Sequence, residues 1–147
     1  SMVPITPLRV VPIQRYRQYN DYVLKNIIDL FRDKNTVVLY FSDHGEEIYD
    51  YRDSYGRVVF DDNMKNLGYK YQYEVPFMIW CSDKYKKKYP AIINNIKKAL
   101  HRSFRTDEIC NVVFHISQLN TPYYRDKYDL LSPSFVPLDS VSQSMYN

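Results

Sequence analysis

Thr36-Val-Val-Leu-Tyr-Phe-Ser-Asp-His-Gly-Glu-Glu47 is the stretch that decides the fold of this 147-residue chain. The run from Val37 to Ser42 is apolar or aromatic at all but its last residue and shows no polar alternation. Such a run is typical of a strand that is buried on both faces, as in a parallel sheet covered by helices. Open α/β sheets place their sites at the carboxyl ends of such strands. The stretch therefore predicts an α/β fold with a site directly after Ser42.

A second apolar run, Glu74-Val-Pro-Phe-Met-Ile-Trp80, predicts another buried strand. Pro76 has no backbone N–H, so it is compatible with an edge position or with the first residues of a strand. We expect the strands at 36–42 and 74–80 to run parallel within a mostly parallel sheet that is flanked by helices.

Apolar residues at helical spacing predict the helices. The first helix is expected to begin at Asn20 or Asp21, either of which is a good N-cap, and to end at Phe31. Three further helices are predicted: 82–88 capped by Ser82, 90–100 with Pro90 in its first turn, and 106–119 capped by Thr106.

The ends of the chain have a different composition. Pro4, Pro7 and Pro12, without any periodicity, favour an extended arm over a helix. The first two residues are typical of those left when an expression tag is cleaved. The expected division is an arm at 1–15, a folded domain at 16–138 and a flexible Ser-rich tail at 139–147.

Charge and cysteine content limit the classes of function. The net charge of +3 is modest, and the lysines of the predicted helices are better explained as a solvated surface than as a nucleic-acid or lipid-headgroup patch. Cys81 and Cys110 form neither a metal motif nor a disulfide framework, and their pairing is left open. No apolar run of about 18 residues is present, so no segment is predicted to span a membrane. The lysines of the predicted helices that are interpreted as a solvated surface are Lys84, Lys86, Lys87, Lys88, Lys97 and Lys98.

Asp43 and His44 are the candidate metal ligands. A carboxylate oxygen and a neutral imidazole nitrogen together suit zinc. Adjacent residues of a strand point to opposite faces, so we expect the chain to turn between them, with the turn permitted by Gly45. The alternative is that Asp43 caps a turn and His44 is a surface residue. His115 lies beside an apolar helical stripe and is interpreted as a packing residue, not a ligand.

The stretch from Val38 to Asp50, followed by 73–80, resembles the second half of the periplasmic domain of bacterial phosphoethanolamine transferases. These are membrane-anchored enzymes of the sulfatase and alkaline phosphatase-like superfamily. Residues 20–31 resemble the helix that precedes the Asp-His strand in that family, and 103–109 resemble the segment that enters a late helix. The resemblance implies a partial alkaline phosphatase-like fold.

The same resemblance implies a catalytic mechanism, and this chain carries only some of the residues that the mechanism needs. In the family, a zinc-activated threonine attacks phosphorus, and the metal is held by that threonine, a glutamate, and the Asp and His that match Asp43 and His44. Nothing before Asn20 resembles the segments that carry the glutamate and the threonine nucleophile. Thr6 lies in the proline-rich arm and not at the N-terminus of a helix. Arg57 stands where the family usually has a histidine. It is expected to bind a phosphate oxygen of the substrate.

The implied partners are a phosphatidylethanolamine donor and a lipid A or related glycan acceptor, at the periplasmic face of the inner membrane, with the anchor outside this chain. We expect the isolated chain to bind zinc weakly, to transfer nothing and to form a homo-oligomer, because half a domain exposes a strand edge. Two alternatives stay open: a sulfatase or phosphodiesterase of the same superfamily, and a non-catalytic interaction module.

Overall fold

The computed structural model describes residues 10–48, 55–56 and 74–137. It has the α/β architecture that the sequence predicts, although its described sheets are small. No helix in these residues is long and apolar enough to cross a bilayer. The helices are α1 (Val10–Phe31), α2 (Asp83–Lys88), α3 (Pro90–Lys98) and α4 (Ile109–Ser117), and the strands are β1 (Val37–Phe41), β2 (Glu47–Ile48), β3 (Tyr55–Gly56) and β4 (Phe77–Cys81).

Strands β1 and β4 form a two-stranded antiparallel sheet, with Val37 opposite Cys81 and Phe41 opposite Phe77. The prediction that these two strands run parallel is therefore wrong. The expected burial of β1 on both faces is also wrong, because Tyr40 and Phe41 are 36% and 38% exposed. An apolar run, moreover, does not encode the direction of pairing. Sheets of α/β proteins commonly include antiparallel strands. The pairing extends beyond the strands, since Ser82 N donates to Thr36 O over 3.0 Å.

Strands β2 and β3 pair antiparallel after β1, with Glu47 opposite Gly56 and Ile48 opposite Tyr55. The polar and aromatic sequence of 46–55 predicts a loop with at most one helical turn, and the structure corrects this prediction at Glu47, Ile48 and Tyr55, which lie in strands. Gly56 has a φ of 95°, a conformation that L side chains rarely adopt. A single pair of two-residue strands is too short to give a periodic sequence signal.

Helix α1 begins at Val10, ten residues before the predicted N-cap, and ends at Phe31 as predicted. The prediction of an extended arm is therefore wrong for residues 10–15, and residues 1–9 lie outside the described part. Pro12 is the third residue of the helix. A proline is tolerated there because the first four N–H groups of a helix have no partner within it.

The hydrophobic core lies between the sheet and helices α2 to α4. Side chains of Val37, Leu39, Phe77 and Ile79 pack against it from one face of the sheet. Tyr85 is 4% exposed, and its hydroxyl donates to Ile116 O over 2.5 Å. Burial raises the pKa of Tyr85 to about 12. The core residues are Cys81, Tyr85, Ile92, Ala99, Val112, Ile116, Leu130 and Leu131.

The segment after α4 completes this core. Leu130 and Leu131 are buried, and Arg102 Nη1 donates to Leu130 O and to Ser132 O over 2.7 Å each.

The predicted cap at Thr106 is wrong, because residues Thr106–Glu108 form a 3₁₀ turn and neither this turn nor α4 has a side-chain cap. Pro90 lies in the first turn of α3 as predicted.

The predicted cap at Ser82 is confirmed, and its hydroxyl oxygen accepts from both Tyr85 N and Thr36 N at 3.2 Å each. Replacing Ser82 with Ala is expected to lower the free energy of unfolding by about 2 kcal/mol, the upper range for an N-cap, because two backbone donors lose their acceptor. Urea denaturation would measure the change. A Ser82→Thr variant, which keeps the hydroxyl, should retain most of the stability. Equal loss in the two variants would contradict the capping role.

Candidate metal centre

Asp43 and His44 lie just past the carboxyl end of β1, where the sequence predicts a site. Two local hydrogen bonds shape the turn. Ser42 Oγ donates to His44 O over 2.7 Å, and His44 N donates to Asp43 Oδ1 over 3.0 Å. The Asp43 side chain is 86% exposed and that of His44 is 33% exposed. The carboxylate is therefore open to a ligand while the imidazole is partly fixed.

The ring of His44 is oriented by the backbone. Its Nδ1 lies 3.0 Å from Gly45 O. A carbonyl oxygen only accepts hydrogen bonds, so the proton of the neutral ring sits on Nδ1 and the lone pair sits on Nε2. A backbone carbonyl on one ring nitrogen is the usual way to fix the tautomer of a metal-binding histidine. Nε2 of His44 is therefore the nitrogen available to a metal.

The two candidate ligand atoms are separated by a distance that suits one ion. His44 Nε2 and Asp43 Oδ2 are 3.6 Å apart. Two ligands of a tetrahedral zinc ion, each at roughly 2.0–2.2 Å from the metal, lie about 3.4 Å from each other. The separation of these two atoms is compatible with two ligand positions of one zinc ion.

The turn is made without the backbone freedom of glycine at Gly45. Among the described glycines, Gly56 is the one with positive φ. Asp43 and Ser42 supply the turn through their side chains instead, because a short polar side chain that bonds nearby backbone stabilises a turn. The expectation that the chain turns between the two ligands is met, whereas the proposed reason, a permissive Gly45, is not supported.

A third ligand is not found in the described part of the chain, which contains no group of three or more His, Cys, Asp or Glu side chains able to hold a metal. Zinc sites of the catalytic type use three protein ligands and an open position. Arg57, the predicted phosphate-binding residue, lies outside the described residues. Asp43 and His44 stay the two candidate ligands that lie together in the described residues.

His115 belongs to a separate buried network. Its Nδ1 is hydrogen-bonded to Asp129 Oδ2, and its Nε2 lies 3.4 Å from Asn95 Nδ2. Tyr124 also donates its hydroxyl to Asp129 Oδ2, over 2.7 Å. Both ring nitrogens of His115 have partners, which confirms its interpretation as a packing residue. Burial and the hydrogen bond to Asp129 raise the pKa of Tyr124 well above its usual range.

Sequence analysis missed Asp129 and Tyr124 as partners of His115. Asp129 is 0% exposed although its side chain is polar, and a fully buried carboxyl group needs hydrogen-bond partners around it. The local sequence gives no signal for this burial, because the partners His115 and Tyr124 lie 14 and 5 residues away in the chain. The pairing left open for cysteines is now settled, since Cys81 and Cys110 are both free.

Comparison with known proteins identifies the family of this chain. The family model for sulfatases matches residues 14–104, which is more than half of the chain. The chain belongs to the sulfatase family. The recognition from the Asp-His strand and its neighbours is thereby confirmed, and with it the partial sulfatase-like fold.

The similar proteins with assigned roles are phosphoethanolamine transferases. Phosphoethanolamine transferase EptC of Escherichia coli O18:K1:H7 is 28% identical over 119 residues, which are 80% of this chain and 19% of that protein. Kdo(2)-lipid A phosphoethanolamine 7''-transferase of Escherichia coli K12 is 37% identical over 67 residues, which are 46% of this chain and 11% of that protein. The chain thus spans about a fifth or less of the length of these relatives.

A solved structure shows the same fold. The crystal structure of the C-terminal periplasmic domain of EcEptC from Escherichia coli, in complex with Zn, superposes with a TM-score of 0.67 at 25% identity. The match covers 91% of this chain and 38% of that domain. More than half of the solved domain therefore has no counterpart within these residues.

Proposed function

We propose that this chain is the C-terminal part of a zinc-dependent phosphoethanolamine transferase domain and that it contributes Asp43 and His44 to the metal site. The observation that carries the proposal is the 3.6 Å separation of His44 Nε2 from Asp43 Oδ2, just past the carboxyl end of β1. Family membership and the transferases among its relatives support the reaction class. A zinc complex of one relative supports the metal.

The chain's own residues supply binding and orientation. Asp43 offers a charged oxygen, and His44 offers a nitrogen whose lone pair is directed by the hydrogen bond of Nδ1 to Gly45 O. When bound, zinc would lower the pKa of a hydroxyl nucleophile and neutralise charge on the phosphoryl oxygens. The nucleophile itself is proposed to lie in the part of the domain outside this chain. Arg57 is proposed to hold a phosphate oxygen of the substrate.

The proposed donor is phosphatidylethanolamine, and the proposed acceptor is lipid A or a related surface glycan. The acceptor is supported by the similarity to a Kdo(2)-lipid A transferase. The reaction would take place at the periplasmic face of the inner membrane. As an isolated segment the chain is expected to self-associate, because its uncovered apolar surface favours pairing.

The affinity of the chain for zinc tests whether Asp43 and His44 form part of a metal site. The 147-residue chain should bind zinc weakly in calorimetric titration and should lose that binding in an Asp43→Ala, His44→Ala double variant, because two ligands leave the other coordination positions to water.

In a longer natural polypeptide that contains this segment, Asp43→Ala should reduce transfer from a phosphatidylethanolamine donor by at least ~100-fold, since a catalytic metal contributes several kcal/mol. Asp33→Ala, on the exposed turn before β1, is the control.

Two results would contradict the proposal. Tight one-to-one zinc binding by the chain alone that survives the double variant would place the metal elsewhere. Hydrolysis of a sulfate ester by the longer polypeptide, without headgroup transfer, would assign the site to a sulfatase.

A further inference from the structure

Ser42 separates strand β1 from the two candidate metal ligands. It directly follows Phe41, the last residue of β1, and is half-buried. A serine hydroxyl has one hydrogen to donate, and that of Ser42 is directed to His44 O over 2.7 Å. The side chain of Ser42 is therefore engaged with the backbone of a candidate ligand.

The carbonyl that Ser42 holds belongs to the peptide group between His44 and Gly45. The orientation of this peptide group decides the direction in which Gly45 leaves His44, and Gly45 O is the atom that lies 3.0 Å from His44 Nδ1. Glycine restricts its own backbone less than any other residue does. The hydrogen bond from Ser42 thus restrains, from the side of His44, a carbonyl that Gly45 itself leaves free to move.

The other end of His44 is held by Asp43. Asp43 Oδ1 accepts from His44 N over 3.0 Å, while Asp43 Oδ2 lies 3.6 Å from His44 Nε2. The backbone N–H and C=O of His44 are therefore both bonded to side chains of the two residues before it. Of these two side chains, that of Ser42 is the one not proposed to bind the metal.

We propose that Ser42 is a positioning residue of the candidate metal centre. By fixing the peptide group between His44 and Gly45, it keeps the ring proton of His44 on Nδ1 and leaves the lone pair of Nε2 for a metal. The role toward the metal rests on the proposed function, whereas the effect on the ring does not. Removing a group that orients a metal ligand typically lowers metal affinity by about 10–100-fold.

The state of the His44 ring is measured without zinc. Long-range proton–nitrogen NMR of the 147-residue chain, at about pH 9 where imidazole groups are neutral, distinguishes the two tautomers. His44 should carry its proton on Nδ1, and Ser42→Ala should shift the ring toward a mixture with the Nε2–H form. Ser42→Thr, which keeps a hydroxyl, should restore the Nδ1–H form.

The same signals followed during addition of zinc give the affinity, which Ser42→Ala should lower about 10-fold. Ser117→Ala is the matched control for both measurements. The hydroxyl of Ser117 also donates to a backbone carbonyl, Val113 O over 2.6 Å, but within helix α4. It should change neither the His44 tautomer nor the zinc affinity.

An unchanged tautomer in Ser42→Ala would overturn the proposal. If zinc affinity were nevertheless lost, Ser42 would be a ligand and not a positioning residue. A changed tautomer with unchanged zinc affinity, or an equal change in Ser117→Ala, would also overturn it. A tautomer change specific to Ser42→Ala, in a chain whose His44 signals do not respond to zinc at all, would retain Ser42 as the residue that orients His44 and remove the proposed function.

Discussion

Replacing Asp129 with Ala is expected to lower the free energy of unfolding by about 3 kcal/mol or more, because each buried donor that loses its acceptor costs about 1–3 kcal/mol. The carboxylate of Asp129 is fully buried. Its Oδ2 accepts from His115 Nδ1 and from the Tyr124 hydroxyl, and its Oδ1 accepts from Leu131 N over 3.0 Å. Alanine would leave these three donors without an acceptor in a place that water does not reach.

Urea denaturation at neutral pH measures this cost. Asp107→Ala is the control, because Asp107 pairs with Arg105 but its side chain is 53% exposed, and exposed pairs contribute about 0–1 kcal/mol. Asp129→Asn should cost less than the alanine variant, since an amide keeps an oxygen for Leu131 N. A loss for Asp129→Ala no larger than that for Asp107→Ala would show that the buried network does not stabilise the fold.

The second large effect is expected at Leu131, which is 1% exposed within the core cluster. Leu131→Ala should cost about 2–5 kcal/mol, because truncation loses the transfer free energy of the side chain and leaves a cavity. Leu100→Ala is the matched control at a position that is 72% exposed, and it should change stability by less than about 0.5 kcal/mol. Comparable midpoints for the two variants in thermal or urea unfolding would refute the placement of Leu131 in the core.

The features that the sequence predicts correctly depend on neighbours in the chain. Asp43 and His44 are adjacent, and their position follows from the end of an apolar run. The cap at Ser82 and the position of Pro90 follow from rules that act within one helical turn. Local features of this kind can be predicted from the sequence because few alternative conformations compete with them.

The features that escaped prediction depend on distant parts of the chain. The direction of β4 relative to β1 is set by the whole connection between them, much of which lies outside the described residues. The pairing of His115 with Asp129 joins residues 14 positions apart through a turn that has no periodic pattern. The start of α1 at Val10 was hidden by Pro12, since proline ends a helix in its interior but is accepted in its first turn.

Because the C-terminal segment contributes to the core, it limits where a recombinant form of this protein can be truncated. The sulfatase family match ends at residue 104, and a boundary chosen there would seem natural. Among the residues whose burial the structure describes, half of the buried apolar side chains come after it, namely Val112, Ile116, Leu130 and Leu131. A protein trimmed at residue 104 would lose these side chains and the carbonyls that Arg102 binds, so recombinant boundaries must extend at least through Phe135, which packs on the same core.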